Sequence, residues 1–495
     1  MPSHRQLRGP TAPNDGPEAI ARSVHELEAQ ARLLDPDRER RHELWNAVGA
    51  HVHERLADLG EKPAYRTGPV DAEAFALAET PSAVSEVLAT MAVVEESGIN
   101  QTSGRHFAFI PGGGLFPSAL GDVLADLGNR YSGIHFAAPA ASLMERSLVQ
   151  WMARLVGYPE TAGGDLTSGG SVATLEAIVT AREATALRSA DVPQAVVYLT
   201  AHTHHCVEKA LRIAGLGECV LRRVGLDERW RMRPDSLKAM IEADVAAGLR
   251  PWLVVATAGT TDTGAVDPLA AIGEVAEAHG VWLAVDAAYG GFFLLTEHGR
   301  RVLAGIEASE SVVMDPHKGL FLPFGSGALL VRDERRLADA HRYGASYLSD
   351  ARDADGVFSA SDVSVELSRP FRGPRLWLPL KLFGLAAFRA ALDEKLLLAR
   401  YFHRRLRELP GWVPGPEPDL SVVTFHYQPA RGDPDDFNRR LLQAVYGDGR
   451  AVISATEIEG VYTLRLAVLQ YRSHLGDVDA LLEILQREAS RLGAT

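Results

Sequence analysis

Residues 311–333, SVVMDPHKGLFLPFGSGALLVRD, set Lys318 between two short apolar runs, SVVMD and GALLVRD, each bounded by proline or glycine. Runs of this length and punctuation read as buried strands. A lysine held between buried strands is not a solvated surface cation. Desolvation lowers a lysine pKa and favours the free amine that forms Schiff bases. The same texture recurs upstream in AVVYLT (195–200), WLVVATA (252–258) and VWLAVDA (281–287), alternating with amphipathic helical patterns. From Phe107 to Val331 the chain therefore reads as strands and helices layered into a mostly parallel α/β sheet.

On either side the texture changes. From Pro17 to Val94, apolar residues recur at three- and four-residue spacing, as in HELWNAVGAHVHERLADL, which predicts a helical lead-in or arm. Beyond a polar stretch at Ser349–Ser361, long helical patterns around Leu376–Leu409 precede the strand-like DLSVVTFHY and YTLRLAVLQ, which predicts a smaller α+β domain. The expected division is a disordered lead over 1–17, a helical segment over 18–106, a large domain over 107–368 and a small domain over 369–495.

Composition narrows the function. The chain has 495 residues, 46% of them hydrophobic, and a formal charge of −13 from 64 acidic and 51 basic side chains. That size accommodates a large core and two or three domains, and that charge repels phosphate backbones and anionic lipid surfaces. Neither nucleic acid nor membrane is an expected partner. Two cysteines, Cys206 and Cys219, make no disulfide framework and no CxxC pair, so no metal is expected and a reducing cytoplasm is the expected compartment. The opening MPSHRQLRGPTAPNDGP has no apolar core of a signal peptide. Only six lysines occur, Lys62, Lys209, Lys238, Lys318, Lys381 and Lys395, and Lys318 alone follows a strand-like run.

In an open parallel sheet, ligands bind beyond the carboxyl ends of the strands. Three further segments have polar residues there. In LTSGGSVATLEAIVTAR, Gly169, Gly170 and Ser171 precede a helix, which reads equally as an ordinary N-cap or as a phosphate cradle of exposed amides. In AHTHHC, His204 sits among His202 and His205 after AVVYLT, where an imidazole can stack on a ring, bind a carboxylate or simply satisfy a helix start. In VWLAVDAAYGGF, Asp286 ends a buried strand and must face a cation or a donor, either structural or functional. Together, a phosphate cradle, a stacking histidine, a buried carboxylate and a buried lysine are the parts that hold pyridoxal 5'-phosphate.

These residues resemble the group II pyridoxal-phosphate-dependent amino-acid decarboxylases, the aromatic-L-amino-acid decarboxylases among them. The likeness runs through HFAFIPGGG, TSGGSVATL, HTHHCVEKA, ATAGTTDTGAVD, WLAVDAAYGG, DPHKGLFLPFGSGALLV, FRGPRLWLPLK and LRLAVL in the family's order, and DPHK with VDAAYGG is highly specific. It implies a fold-type I enzyme: a large, mostly parallel seven-stranded sheet domain, a smaller α+β C-terminal domain and a helical N-terminal arm wrapping the partner of a homodimer. It makes Lys318 the Schiff-base lysine, Asp286 the partner of the pyridinium nitrogen and His204 the residue on the ring face. Gly170 and Ser171 would hold the phosphate with help from His317, and Thr261 and Ala288 would lie near the ring. Tyr131 and Gly133, in NRYSGIHFAAPAA, would line the side-chain pocket, and Arg465 would meet the substrate carboxylate.

The implied reaction is decarboxylation of an L-amino acid, with aromatic or other hydrophobic side chains favoured, to the amine. The family's mobile loop carries a tyrosine that protonates the substrate carbon, whereas LSDARDADGVFSASDVSVELSR (348–369) contains none and aligns Ser361 or Ala360 there. In related enzymes with this tyrosine replaced, oxygen intervenes and the product is an aldehyde with ammonia and peroxide. Oxidative decarboxylation–deamination, or other chemistry at the substrate carbon, is therefore the alternative, with Tyr347, His204 or water as substitute acids. A catalytically silent binding partner is the third reading.

Overall fold

The computed structural model describes residues 16–57, 59–60, 62–342 and 359–493. Each apolar run named above contains a strand. Two short strands, β1 (Tyr65–Arg66) and β2 (Gly98–Ile99), pair as a ribbon. A seven-stranded sheet follows: β3 (Gly163–Thr167), β4 (Ala195–Leu199), β5 (Val220–Arg223), β6 (Arg250–Thr257), β7 (Trp282–Asp286), β8 (Ser311–Met314) and β9 (Gly327–Val331). Its order is β3-β9-β8-β7-β6-β4-β5, and β9 alone runs antiparallel to its neighbours. A four-stranded antiparallel sheet, ordered β10-β11-β13-β12, is built from β10 (Trp412–Pro414), β11 (Val422–Tyr427), β12 (Ser454–Ile458) and β13 (Val461–Ala467). The fold is α/β, of fold type I. β3 (GGDLT) and β5 (VLRR) carry no apolar run; neighbouring strands, not their own composition, make them strands.

The large sheet is apolar on both faces because successive side chains in a strand point to opposite sides. Val196, Tyr198, Val254, Ala256, Leu283, Val285, Val312 and Met314 join one core. Their neighbours Ala195, Val197, Leu199, Leu253, Val255, Trp282 and Val313 join another. Covering both faces leaves only the strand ends open, so polar residues just past β6, β7 and β8 gather along one rim.

The chain forms two compact units, residues 1–61 with 68–97, and residues 62–67 with 98–495. In the first, helices Pro17–Ala31, Arg38–Ala57 and Val84–Glu96 contain no buried residue. Arg55 Nε lies 2.9 Å from Glu95 Oε2 there. The second carries both sheets, bridged by the helix Gly373–Glu408, which is kinked at Gly384 (φ +69°). Leu376, Phe388, Leu392 and Leu396 of that helix pack into the large-sheet core, and Leu398, Phe402 and Leu406 into the small-sheet core. The core thus changes partway along one helix. Among the described residues no helix is long and apolar enough to cross a membrane.

Leu283 of β7 is 2% exposed. Leu283→Ala should cost about 2–5 kcal/mol, read as a lowered urea midpoint by tryptophan fluorescence.

Candidate active site

Strand β8 ends at Met314, and Pro316, pre-set for a first helical position, starts the single turn Pro316–Gly319. That turn carries Lys318, whose Nζ lies 3.1 Å from Asp315 Oδ2. Asp315 is buried and its Oδ1 has no partner, while Lys318 keeps 21% of its side-chain surface because it faces a cavity. The expected lowering of the Lys318 pKa is reversed. Burial does pull it down, but the charges of Asp315 and Asp286, with the hydrogen bond to Asp315, together push it above the ordinary lysine value. That direction favours the ammonium form of Lys318, paired with Asp315.

Asp286 ends β7, in register with Thr257 of β6 and Val313 of β8. Its Oδ1 accepts the Ala288 N–H at 3.1 Å. The next residue, Tyr289, is pinned by its hydroxyl to Ser421 Oγ at 2.8 Å and to the Ser421 N–H at 2.7 Å. Beside it, the loop after β6 is held by a buried carboxylate that sequence reasoning missed: Asp267 accepts the N–H groups of Thr257 and Met232, both at 2.7 Å. Burial raises its pKa to about 6. The only sequence signal was its place closing ATAGTTDTGAVD.

The helix Gly170–Ala184 starts at the cavity, and Gly170, Ser171, Val172 and Thr174 of its first turns line it. A methyl at Gly170 would sit 2.9 Å from Asp315 Oδ2, and one at Gly112 would fall 1.9 Å from the His317 carbonyl. Both glycines therefore permit close approach to the Lys318 turn. His317 Nδ1 donates to Ser326 O at 2.5 Å, and burial lowers its pKa. His204 precedes the helix Cys206–Ile213, and its Nδ1 accepts the Cys206 N–H at 3.3 Å. Burial lowers its pKa too, so the neutral ring carries its proton on Nε2. His205 packs its ring 4.1 Å from that of His204. Cys206, absent from the expected set, also lines the cavity; burial and then Asp286 push its thiol up to about 12.

The cavity measures about 300 Å³ and brings together Gly170, Ser171, His204, Thr261, Asp286, Ala288, His317 and Lys318. Three expected residues lie elsewhere. The Tyr131 hydroxyl donates to Leu367 O at 3.1 Å, and Gly133 O accepts the Ser361 N–H at 2.9 Å. Arg465, expected at a substrate carboxylate, instead donates to Phe109 O at 3.1 Å, Ser454 Oγ at 2.7 Å, Asp262 O at 3.2 Å and Thr261 O. Buried among carbonyls that need donors, it braces the Thr261 loop. Tyr347 and the stretch 348–358 lie outside the described residues. Among those described, no cluster of His, Cys, Asp or Glu is arranged to hold a metal.

The donor set suits pyridoxal phosphate. An amine and carboxylates line one cavity, and the amides of a helix N-terminus offer an anion site. The volume lies at the lower end of the ~300–1,000 Å³ typical of small-molecule sites.

Comparison with known proteins agrees. The pyridoxal-dependent decarboxylase conserved domain matches residues 72–428. An aromatic-L-amino-acid decarboxylase of Bacillus atrophaeus is 33% identical over 395 residues, 79% of this chain and 81% of the relative. A phenylacetaldehyde synthase of Arabidopsis thaliana is 30% identical over 406 residues, 79% of this chain and 82% of the relative. The crystal structure of Oryza sativa TDC with PLP and tryptamine superposes with a TM-score of 0.87 at 25% identity, covering 92% of this chain and 99% of that one. Fold and site define a pyridoxal-phosphate enzyme acting on an amino acid. The chain belongs to the pyridoxal-dependent decarboxylase family.

If Asp315 holds Lys318 as an ammonium, Asp315→Asn should lower the lysine pKa. An opposite charge this close shifts a pKa by roughly 1–3 units. In the cofactor-free protein at pH 8, acylation of Lys318, mapped by mass spectrometry, should accelerate on the order of tenfold. An unchanged rate would show that Asp315 does not control the amine.

Proposed function

We propose that the protein converts an L-amino acid with an aromatic or other hydrophobic side chain to its amine, with pyridoxal phosphate attached at Lys318. The observation that carries this reading is the convergence of Lys318, Asp286, His204 and the Gly170 helix start on one cavity. Once bound, the cofactor supplies an electron-accepting ring that takes up the pair left when carbon dioxide departs. Asp286 keeps a proton on the ring nitrogen. His204 would stack on the ring, and Thr261 and Ala288, which line the same cavity, would lie close to it. Gly170 and Ser171 hold the phosphate with backbone amides, assisted by His317. Lys318 would hold the cofactor, with Asp315 3.1 Å from its Nζ orienting the amine. Tyr131 and Gly133 act on the substrate side through the 359–367 segment they bind. Arg465 acts through the Thr261 loop.

The protein acts as a cytoplasmic homodimer. Ile20, Val24 and Leu27 form an exposed apolar stripe on the first helix, which buries nothing of its own. Leu120, Leu124 and Leu127 form a second on helix Phe116–Gly128. A second copy of the chain would cover such faces.

A second reading keeps the cofactor and changes the outcome: amino acid, oxygen and water give aldehyde, carbon dioxide, ammonia and hydrogen peroxide. The tyrosine-free stretch 348–369 and the likeness to phenylacetaldehyde synthase favour it.

Borohydride reduction of the loaded enzyme should fix the cofactor on Lys318 alone, and Lys318→Ala should abolish both this labelling and turnover. Incubation with a pool of amino acids under air, with carbon products identified by mass, should yield amine without oxygen uptake. Aldehyde with equimolar peroxide would instead establish the second reading. Light scattering should report a mass near twice that of one chain.

A further inference from the structure

Behind the cofactor cavity, three carboxylates are buried around one guanidinium: Glu145 on helix Pro139–Val156, Asp165 on β3, Glu176 on helix Gly170–Ala184, and Arg369. Arg369 donates to Asp165 Oδ1 and, at 2.8 Å, to Leu166 O, and lies 3.5 Å from Glu145 Oε2. The carboxylates also grip the backbone around the arginine. Glu145 Oε1 accepts the N–H groups of Arg372 at 2.7 Å and Gly373 at 3.1 Å. Glu176 Oε1 accepts Val365 N–H at 3.2 Å and Ser364 Oγ–H at 3.4 Å. Arg372 adds a bidentate pair with Glu366, at 2.7 and 3.1 Å, and a bond to Leu166 O at 3.1 Å. The strap Ser359–Gly373 is thereby clamped from behind. Its front meets the segment at Tyr131: Ser361 N–H reaches Gly133 O, His135 N–H reaches Ser359 Oγ at 3.1 Å, and Tyr131 reaches Leu367 O.

A buried ionic cluster is a poor stabiliser compared with apolar packing, so its position matters more than its strength. Here it joins the strap to β3 and to the Gly170 helix, whose first turn forms the anion cradle. We propose that Arg369 is a positioning residue for the decarboxylase site, with Glu145, Asp165 and Glu176 as its anchors: the cluster keeps the strap, and through it the Tyr131–His135 segment, in register with the cofactor cradle. The inference rests on the reading of that cavity as the cofactor site and of Tyr131–His135 as its substrate side.

Three carboxylates against one arginine leave an excess of negative charge, and Glu145 Oε2, Asp165 Oδ2, Glu176 Oε2 and Arg369 Nε make no hydrogen bond. Glu176 faces Asp165 from β3, Arg369 and Glu366 from the strap, and the helix Glu334–His341, whose His341 bonds Thr180 Oγ1 at 3.2 Å. Burial first, then Asp165, raises its pKa well above the ordinary glutamate value, and burial also raises that of Glu145. That direction favours the protonated form of Glu176. A carboxyl pKa raised by folding means that the native state binds the extra proton. Stability from this group is then full at low pH and falls as pH climbs from the unfolded value through the folded one.

The test uses Arg369→Lys, which keeps the charge and loses the planar fork, and Glu176→Gln, which keeps the neutral form. Hydrogen exchange of peptides covering 359–373, measured on cofactor-free protein, reads the clamp without chemistry. Arg369→Lys should speed exchange there and lower kcat/KM roughly 10- to 100-fold, mostly in kcat, while borohydride labelling of Lys318 persists. Glu176→Gln should keep the strap protected and gain more in Tm over the parent at pH 8 than at pH 5. Unchanged strap exchange in Arg369→Lys, or activity falling only in step with Tm, would overturn the proposal. So would a Glu176→Gln protein equally destabilised at both pH values. Absence of labelling at Lys318 in the parent would refute the cofactor reading instead and leave the exchange result standing.

Discussion

The Lys318–Asp315 pair is the constraint around which the site is built. An ammonium at the buried end of a parallel strand persists only beside a carboxylate, and Asp315 can be buried only because the lysine compensates it. Holding the two 3.1 Å apart requires the tight turn at Pro316, and the turn in turn requires bare backbone against it. Gly112 meets the His317 carbonyl and Gly170 meets the Asp315 carboxylate, so the loop before helix Phe116–Gly128 and the start of helix Gly170–Ala184 are both drawn to the same few atoms. The anion site and the amine are neighbours because one aspartate touches both.

The same logic recurs one layer back. Asp267 holds the ends of β6 and the Met232 segment, Tyr289 ties the turn after β7 to Ser421, and Arg465 spends its donors on carbonyls around Thr261. Each fixes a loop that lines the cavity. The buried cluster at Arg369 extends the pattern to the strap 359–373. Polar groups behind this site satisfy backbone where strands and helices stop satisfying themselves.

Much of this was legible before folding. Short apolar runs between glycines and prolines can be little else than buried strands, and a lysine or aspartate ending such a run must lie at a strand end. That is why Lys318, Asp286 and the Gly170–Ser171 turn could be read singly. Charge balance could not be read. The sequence places Lys318 in a buried setting and implies a lowered pKa; the structure sets two carboxylates beside it, and their sum outweighs desolvation. The wholly buried lysine is instead Lys395, on an ordinary helical pattern, which donates to Glu394 and to the carbonyls of Tyr471 and Ser473, while Lys318 keeps 21% of its side chain open to the cavity.

Local periodicity determined the class of fold and the residues at the strand ends, because a strand's side-chain alternation and its bounding turns depend on near neighbours in the chain. Only tertiary structure decided what each charged group pairs with. Arg465 donates to the carbonyls of Thr261, Asp262 and Phe109, and Arg369, unremarked among many arginines, became the centre of a buried cluster. Its partners Asp165 and Glu145 lie some 200 residues away along the chain. Pairing energy depends on distance in space and on burial, and sequence separation of that length carries no information about either.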